Sequence, residues 1–194
     1  MSTSLPPTLS LETPRLLLRP FTRADAADHA RIYAKPEVTR FLARGPFLGP
    51  EVARRSRLAL DLFIEHREKH GFGVWAVVDR ATGALMGQCG LKYLPSSPEV
   101  EILYALDTPY WGKGFATEAA EAALRHGFES TGFDRIVAVA MPEHRRSHRV
   151  MEKLGMTYEG RVEVYGGIRA VLYAISREAF LSRATSASSA GGKA

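Results

Sequence analysis

The sequence predicts a mixed α/β fold in which seven strands form a mostly antiparallel central sheet, flanked by about four helices. Two observations lead to this prediction. The spacing of apolar residues switches repeatedly along the chain between the alternation typical of strands and the three-to-four-residue period typical of helices. The resulting order of elements is β-α-α-β-β-β-α-β-α-β-β, which begins with antiparallel strands and includes a parallel crossover near residues 100–141.

Each predicted strand is a short apolar run bounded by residues that favour turns. The first run ends at Pro20, and the turn-forming segment 79–83 separates the second run from the third. A Ser-Ser-Pro break at 96–98 precedes the fourth strand, and Gly166-Gly167 joins the last two strands as a hairpin. The predicted strands are residues 15–19, 72–78, 85–94, 100–106, 135–141, 158–164 and 170–175.

The predicted helices begin and end at residues that typically start or stop a helix. Thr22, followed by Asp25 three residues later, indicates the start of the first helix. Pro50 suits the first turn of the second helix, and Gly71 follows its end. Gly155 suits the C-cap of the fourth helix. The predicted helices are residues 25–34, 50–70, 114–130 and 144–154.

The composition is that of an ordinary globular protein. The chain has 194 residues, of which 45% are apolar and 24% charged, enough for one domain with a substantial core. Cys89 is the only cysteine, which excludes an intramolecular disulfide framework and a cysteine-based zinc site and favours a cytoplasmic location. The N-terminus lacks the pattern of a secretory signal, and no apolar run approaches the ~20 residues that span a bilayer, so we expect no membrane association.

Both ends of the chain are expected to be tails. Residues 1–10 are rich in Ser, Thr and Pro, and residues 183–194 lack aromatic and branched apolar side chains. Neither segment can bury enough apolar area to offset the entropy lost on ordering. We therefore expect a flexible N-terminal tail over residues 1–10, a single folded domain over 11–182 and a disordered C-terminal tail over 183–194.

The most informative segment runs from the fourth predicted strand into a glycine-containing loop that opens a long helix. Gly112 and Gly114 let the backbone approach a ligand closely, and the first turn of the helix offers unpaired N–H groups. Such an arrangement binds phosphate or pyrophosphate, and Lys113 adds a positive charge. The alternative is a tight strand-to-helix turn without a ligand. A P-loop is excluded because its motif is absent, and a dinucleotide-binding fingerprint is disfavoured because Thr117 replaces its third small residue.

The loop Trp111-x-x-Gly114-x-Ala116 resembles the pyrophosphate-binding signature of the GNAT superfamily of acyl-CoA N-acyltransferases. An ordered set of further motifs from about Leu11 to Arg177 is similar to the RimJ/RimL-like branch, whose first known members acetylate N-terminal amines of ribosomal proteins. These motifs are Glu12–Leu16, Trp75–Val77, Gly87-x-x-Gly90-Leu91, Glu101-x-x-Tyr104-Ala105-Leu106 and the helix 142–156 with its Glu-Lys-Leu-Gly ending.

The resemblance implies a GNAT fold and acetyl-CoA as cosubstrate, with no metal. It implies that the parallel strands splay apart and that main-chain groups of Ala105 and Leu106 pair with the pantetheine arm in the opening. His144 replaces the Asn that usually contacts this arm, and its alternative role is a helix N-cap. The residues implied at the pyrophosphate are Trp111, Gly112, Lys113, Gly114, Phe115, Ala116 and Thr117.

The resemblance also implies that a primary amine attacks the thioester directly in a ternary complex. Alternation places Glu101 on the same face as Leu103 and Ala105. If that face lines the cleft, Glu101 would act as the general base, directly or through water. The alternatives for Glu101 are a solvated strand carboxylate and an ion-pair partner. Ser147 is the candidate acid for the departing thiolate, because Met151 stands where many members have Tyr. The alternative for Ser147 is an ordinary polar helix position.

The acceptor is not determined by the sequence, because acceptor loops vary freely on a shared scaffold. A protein N-terminus and a small-molecule amine both remain open, as does a homodimer. Phe41, Phe47 and Tyr165 are candidates for the walls of an acceptor pocket. The basic run 144–149 is interpreted as a solvated face or as a neighbour of CoA phosphates, and nucleic-acid binding is disfavoured because no aromatic residue interleaves with it. The rival interpretation of the whole chain is a non-catalytic CoA- or RNA-binding module with the same fold.

Overall fold

The structure is a computed structural model that describes residues 9–43, 45–95 and 97–190, with side chains described as far as Arg183. Within these residues it contains eight strands and six α-helices. The strands are β1 (Leu11–Glu12), β2 (Leu16–Pro20), β3 (Val74–Asp79), β4 (Leu85–Tyr93), β5 (Val100–Leu106), β6 (Arg135–Ala140), β7 (Thr157–Val164) and β8 (Ile168–Ser176). The helices are α1 (Ala26–Tyr33), α2 (Pro36–Thr39), α3 (Glu51–His70), α4 (Phe115–Glu129), α5 (Arg145–Lys153) and α6 (Arg177–Ala190).

All eight strands belong to one sheet in the order β1-β2-β3-β4-β5-β6-β8-β7. Every neighbouring pair is antiparallel except β5 and β6, so the predicted mixed α/β fold with one parallel pair is confirmed. The sheet has one strand more than the seven predicted. The additional strand, β1, is only two residues long, and it pairs Leu11 with Leu18 of β2. So short a strand has no detectable alternation in the sequence.

The parallel pair is joined at one position and then opens. The register pairs Glu101 of β5 with Val137 of β6, and it contains no further pair. The residues of β5 that follow Glu101 therefore have no strand partner on the β6 side. The expected splay is present, and Glu101 lies at its closed end.

Helices cover both faces of the sheet, as the alternation along β3 requires. Trp75 and Val77 point into a core cluster built against α4, α5 and α6, whereas Val74, Ala76 and Val78 point into a second cluster built against α1, α2 and α3. Burying alternate residues against helices on both faces explains why β3 and β4 are apolar almost throughout.

Two helices were not predicted. Helix α2 is a single turn that begins at Pro36, where the first helix was expected to stop. Helix α6 follows β8 and continues to Ala190, beyond the expected domain end at residue 182. The guanidinium of Arg183 donates to the main-chain oxygens of Leu154 and, at 2.8 Å, of Lys153. Arg183 thus caps the end of α5. The expected disorder of the tail over 183–194 stays a prediction. Residues 191–194 lie outside the described residues.

The expected N-terminal tail also lies mostly outside the described residues, since they begin at Leu9. The Leu9 carbonyl accepts a hydrogen bond of 3.0 Å from Trp75 Nε1. Trp75 is fully buried and the bond gives its indole N–H a partner, so the chain is held against the sheet before β1 begins.

Candidate active site

Glu101 lies at the closed end of the splay and is almost completely buried, with 1% of its surface exposed. Its Oε1 accepts a hydrogen bond from the Tyr165 hydroxyl and lies 2.8 Å from Lys92 Nζ. Lys92 is the residue directly opposite Glu101 on β4. The interpretation of Glu101 as a solvated carboxylate is therefore wrong. It is a buried, ion-paired carboxylate on the face that it shares with Leu103 and Ala105.

Tyr165 reaches Glu101 from the tip of the hairpin between β7 and β8. Its backbone has φ = +53°, and among the described residues it is the only non-glycine with a positive φ. Gly166 and Gly167 complete the turn with φ values of +76° and +110°. A side chain in this conformation costs roughly 1–2 kcal/mol. The hydroxyl also accepts a 2.9 Å hydrogen bond from Lys92 Nζ, and the ammonium lies 4.7 Å from the centre of the Tyr165 ring.

Ser147, the candidate acid, is buried in the first turn of α5 and hydrogen-bonded to Tyr104 of β5. The Tyr104 hydroxyl lies 3.0 Å from Ser147 Oγ and donates a 3.1 Å bond to the Ser147 carbonyl. This contact connects the two sides of the opening. Burial raises the pKa of Tyr104, so its hydroxyl stays protonated throughout the neutral range. Met151 is 1% exposed and belongs to the core. The hydroxyl groups described between β5 and α5 are therefore those of Tyr104 and Ser147.

The loop after β5 has the form of an anion cradle. Gly112 and Gly114 have φ values of +75° and +83°, and Gly114 is the N-cap of α4. The space that a Cβ of Gly112 would enter is open. The first main-chain bond of α4 runs from Glu118 N–H to the Gly114 carbonyl, so the N–H groups of residues 115–117 have no partner within the helix. These N–H groups and the helix dipole fit a pyrophosphate, and this fit is independent of any motif.

Arg15 connects the first strands to this cradle. Its guanidinium lies 2.5 Å from Glu118 Oε2, donates a 3.0 Å hydrogen bond to the Lys113 carbonyl, and is centred 4.2 Å from the Phe115 ring. Thr13 Oγ1 donates a 2.6 Å bond to the other oxygen of Glu118. Burial alone would raise the pKa of Glu118, but these hydrogen bonds outweigh it and lower the pKa. Arg15 thus neutralises the one acid in the first turn of α4, where an anion is expected.

Trp111 and Asp107 both anchor the β5–α4 connection. Trp111 Nε1 donates a 2.7 Å hydrogen bond to the Leu106 carbonyl, and the guanidinium of Arg146 lies 4.7 Å from the indole ring. Asp107 is 2% exposed and forms ion pairs with Arg31 at 3.1 Å and Lys35 at 2.5 Å. Trp111, predicted as a cofactor residue, is placed here as a support of the loop.

The register of β4 and β5 decides which main-chain groups face the opening. Asp107 N–H bonds to the Met86 carbonyl, and Ala105 is paired with Gln88. Because alternate residues bond across an antiparallel pair, Ala105 directs its main-chain groups toward β4. The expectation that Ala105 pairs with pantetheine through its main chain is therefore wrong. The groups that face the opening belong to Tyr104 and Leu106, and the Leu106 carbonyl already accepts from Trp111.

His144 occupies the N-cap position of α5, but its side chain makes no capping hydrogen bond. Its ring instead stacks on Phe41, with the ring centres 4.2 Å apart. Burial, followed by the nearby basic side chains of His148, Arg146 and Arg40, lowers the pKa of His144 to about 4. His144 is therefore neutral at physiological pH. The stack joins the loop after α2 to the end of the opening.

The described residues contain no group of three or more His, Cys, Asp or Glu side chains that could hold a metal ion. Among the helices of the described chain, none combines the length and apolar character needed to cross a membrane.

Comparison with known proteins assigns this arrangement to a family. A family model described as "Acetyltransferase (GNAT) domain" matches residues 15–157. The chain belongs to the GNAT acetyltransferase family. Its relatives include a Bacillus subtilis protein named "Uncharacterized N-acetyltransferase YoaA", which is 31% identical over 157 residues, covering 80% of this chain and 86% of that protein.

Solved acetyltransferase structures have the same fold. An acetyltransferase from Agrobacterium tumefaciens superposes with a TM-score of 0.75 at 26% identity, covering 90% of this chain and 96% of that one. A ribosomal-protein-S5-alanine acetyltransferase from Vibrio fischeri superposes with a TM-score of 0.71 at 19% identity, covering 89% of this chain and 98% of that one. At that identity the second likeness concerns the fold only. The predicted GNAT fold is confirmed.

Sequence reasoning missed several contacts of this site. Lys92 has no motif of its own, because its role depends on lying opposite Glu101 across two strands. Tyr104 was part of a quoted motif, yet nothing in the sequence indicated its bond to Ser147. For Tyr165 a signal existed: a bulky residue directly before Gly166-Gly167 stands where a glycine-rich turn favours a small one.

Proposed function

We propose that this GNAT protein is an acetyl-CoA-dependent N-acetyltransferase of the RimJ/RimL-like branch that acetylates a primary amine, either a protein N-terminus or a small molecule. One observation carries the proposal. The strands β5 and β6 part directly after a buried carboxylate, and β5 leads into a helix N-terminus with unpaired N–H groups. An extended acyl thioester with an anionic end fits this combination of opening and cradle.

The cradle holds the pyrophosphate of acetyl-CoA in this proposal. The unpartnered N–H groups of the first turn of α4, with Gly112 and Gly114, receive its oxygens, and Lys113 adds positive charge. The main-chain groups of Tyr104 and Leu106 line the opening for the pantetheine arm. Acetyl-CoA supplies the activated acetyl group when it is bound, and the protein positions it and moves protons.

Glu101 is the proposed general base. Only a neutral amine attacks a thioester, so the ammonium form of the acceptor must first lose a proton. The Leu106 N–H lies in the opening beyond Glu101, where it suits an oxyanion on the thioester carbon. Ser147, bonded to Tyr104, donates a proton to the sulfur as the C–S bond breaks. The second proton, which the attacking nitrogen loses on becoming the amide, restores the Ser147 hydroxyl.

The test measures thiol release from acetyl-CoA with a panel of amines, including a peptide with a free N-terminus, a polyamine, an amino acid and an aminoglycoside. Wild type is expected to release thiol with at least one of them, and acetylated product is confirmed by mass spectrometry. Glu101→Gln is expected to bind acetyl-CoA with unchanged affinity and to turn over roughly 10²–10⁴-fold more slowly near neutral pH.

The loss in Glu101→Gln should shrink as the pH rises, because more of the amine is then already neutral. Acetyl-CoA binding without turnover of any amine would contradict the proposal and favour a non-catalytic CoA-binding module. Parallel pH profiles that differ less than threefold between wild type and Glu101→Gln would remove Glu101 from the mechanism while leaving the acetyltransferase activity established.

A further inference from the structure

The burial of Glu101 restricts how a proton from an acceptor amine can reach its carboxylate. The carboxylate is shut off from solvent, and one oxygen is shared by the Lys92 ammonium and the Tyr165 hydroxyl. We therefore expect a proton from an acceptor amine to reach Glu101 through a neighbouring group. Tyr165 at the hairpin tip is half-buried, and its hydroxyl is in direct contact with this carboxylate.

We propose that Tyr165 is a catalytic residue that relays the proton from the acceptor amine to Glu101. The inference rests on the proposed function. In this step the ammonium of the acceptor transfers one proton to Tyr165 Oη, while the phenolic proton of Tyr165 passes to Glu101 Oε1. The products of the transfer are a neutral amine, a neutral phenol and a neutral carboxylic acid. The relay runs in reverse to return the proton to solvent after product release.

The hydrogen bonds of Tyr165 have the polarity that a relay needs. The hydroxyl donates to Glu101, so its own proton already points at the base. Its oxygen accepts one hydrogen bond, from the cationic Lys92 at 2.9 Å, and a phenol oxygen has a second lone pair for another N–H donor. An acceptor ammonium is a donor of the same kind. Lys92 also stabilises negative charge that develops on the phenol oxygen during the transfer.

The strained backbone of Tyr165 supports a functional role. Glycine would adopt φ = +53° without cost, and glycines at the next two positions, Gly166 and Gly167, also have positive φ values. A bulky side chain is retained at the strained position, and it makes the contacts to Glu101 and Lys92 described above. Strain of this kind at a cleft is a feature of functional sites, where the side chain compensates for the backbone cost.

The test compares Tyr165→Phe with wild type in the thiol-release assay, using an amine that wild type accepts. The variant keeps the ring and removes only the hydroxyl. We expect acetyl-CoA affinity within twofold of wild type and a fall in kcat/KM of about 10²-fold near neutral pH, which shrinks as the pH rises. Tyr158→Phe is the matched control, because Tyr158 is an exposed tyrosine on β7 of the same hairpin. It should behave as wild type.

A double variant distinguishes a relay through Tyr165 to Glu101 from independent contributions of the two residues to the rate. If Tyr165 and Glu101 serve one proton transfer, Glu101→Gln with Tyr165→Phe should be no slower than Glu101→Gln alone. Additive losses would overturn the relay. Unchanged turnover in Tyr165→Phe, or a rise in KM alone, would also overturn the relay. Faster turnover would overturn it too, because it would identify the hydroxyl as an obstruction. Wild type that acetylates no amine would overturn the proposed function itself, and the relay with it.

Discussion

The buried histidine His29 predicts a loss of stability in mild acid that can be calculated from the structure. His29 is fully buried on α1; its Nδ1 lies 2.6 Å from Ser56 Oγ on α3 and its Nε2 lies 3.1 Å from Gln88 Oε1 on β4. Burial, opposed by the bond to Gln88, lowers the pKa of His29 from 6.5 to about 4. The folded protein therefore keeps His29 neutral at a pH where the unfolded chain is already protonated.

The direction of the change in stability follows from the number of protons bound in the folded and the unfolded state. Between pH 7 and pH 5 the unfolded chain takes up most of a proton at His29, whereas the folded chain stays largely unprotonated there, so the free energy of unfolding falls as the pH falls. With 1.36 kcal/mol for each factor of ten in proton affinity, His29 alone accounts for a loss of about 2 kcal/mol over this range. His126, buried on α4 with its pKa also lowered to about 4 by burial and by Arg67, adds a similar loss.

The assay is urea unfolding followed by circular dichroism at pH 7 and pH 5. His29→Gln removes the titrating group and is expected to reduce the drop in unfolding free energy between the two pH values by about 2 kcal/mol relative to wild type. His70→Gln removes an exposed histidine on α3 and is the matched control, expected to retain the wild-type drop. If His29→Gln shows the same drop as wild type, the reasoning from burial is refuted.

Three further predictions concern the cradle and the C-terminal end. Gly114→Val should weaken acetyl-CoA binding at least about tenfold by calorimetry, because a side chain at φ = +83° distorts the start of α4; undiminished affinity in a folded variant would refute the cradle. Arg15→Ala should weaken the same binding several-fold, since it leaves Glu118 unneutralised, and adding Glu118→Gln should recover part of the loss; a double variant weaker than Arg15→Ala would contradict this. Arg183→Ala should lower the melting temperature by about 3 °C, because it loses the hydrogen bonds to the end of α5. Deleting residues 184–194 should change the melting temperature little. Equal melting temperatures for Arg183→Ala and wild type would show that this cap contributes nothing.

The sheet, which is covered by helices on both faces, shows which features the sequence pattern can predict. Strand β3 and strand β4 read as apolar runs because both of their faces are covered by helices, and their turn residues are local. The loop with Gly112 and Gly114 was equally readable, since a strand, a turn with positive φ and a helix start are all encoded within about ten residues. These features depend on near neighbours in the chain.

The elements that were misjudged lack such local signals. Strand β1 is two residues long, and α6 is stabilised in part by Arg183 reaching α5, about thirty residues earlier in the chain. The direction of the Ala105 main chain depends on the register of β4 against β5. A shift of one residue in that register would reverse which groups face the opening, and a sequence does not state its register.

The sequence by itself determined the fold class and pointed to the candidate cradle and to Glu101 as a candidate base, because each depends on residue types at short, regular spacing. Only the tertiary structure decided the surroundings of Glu101. Lys92 comes from the neighbouring strand, and Tyr165 comes from a hairpin 64 residues later in the chain. Whether a carboxylate is solvated, ion-paired or linked to a hydroxyl is a property of distances in space, and chain folding alone brings those three side chains together.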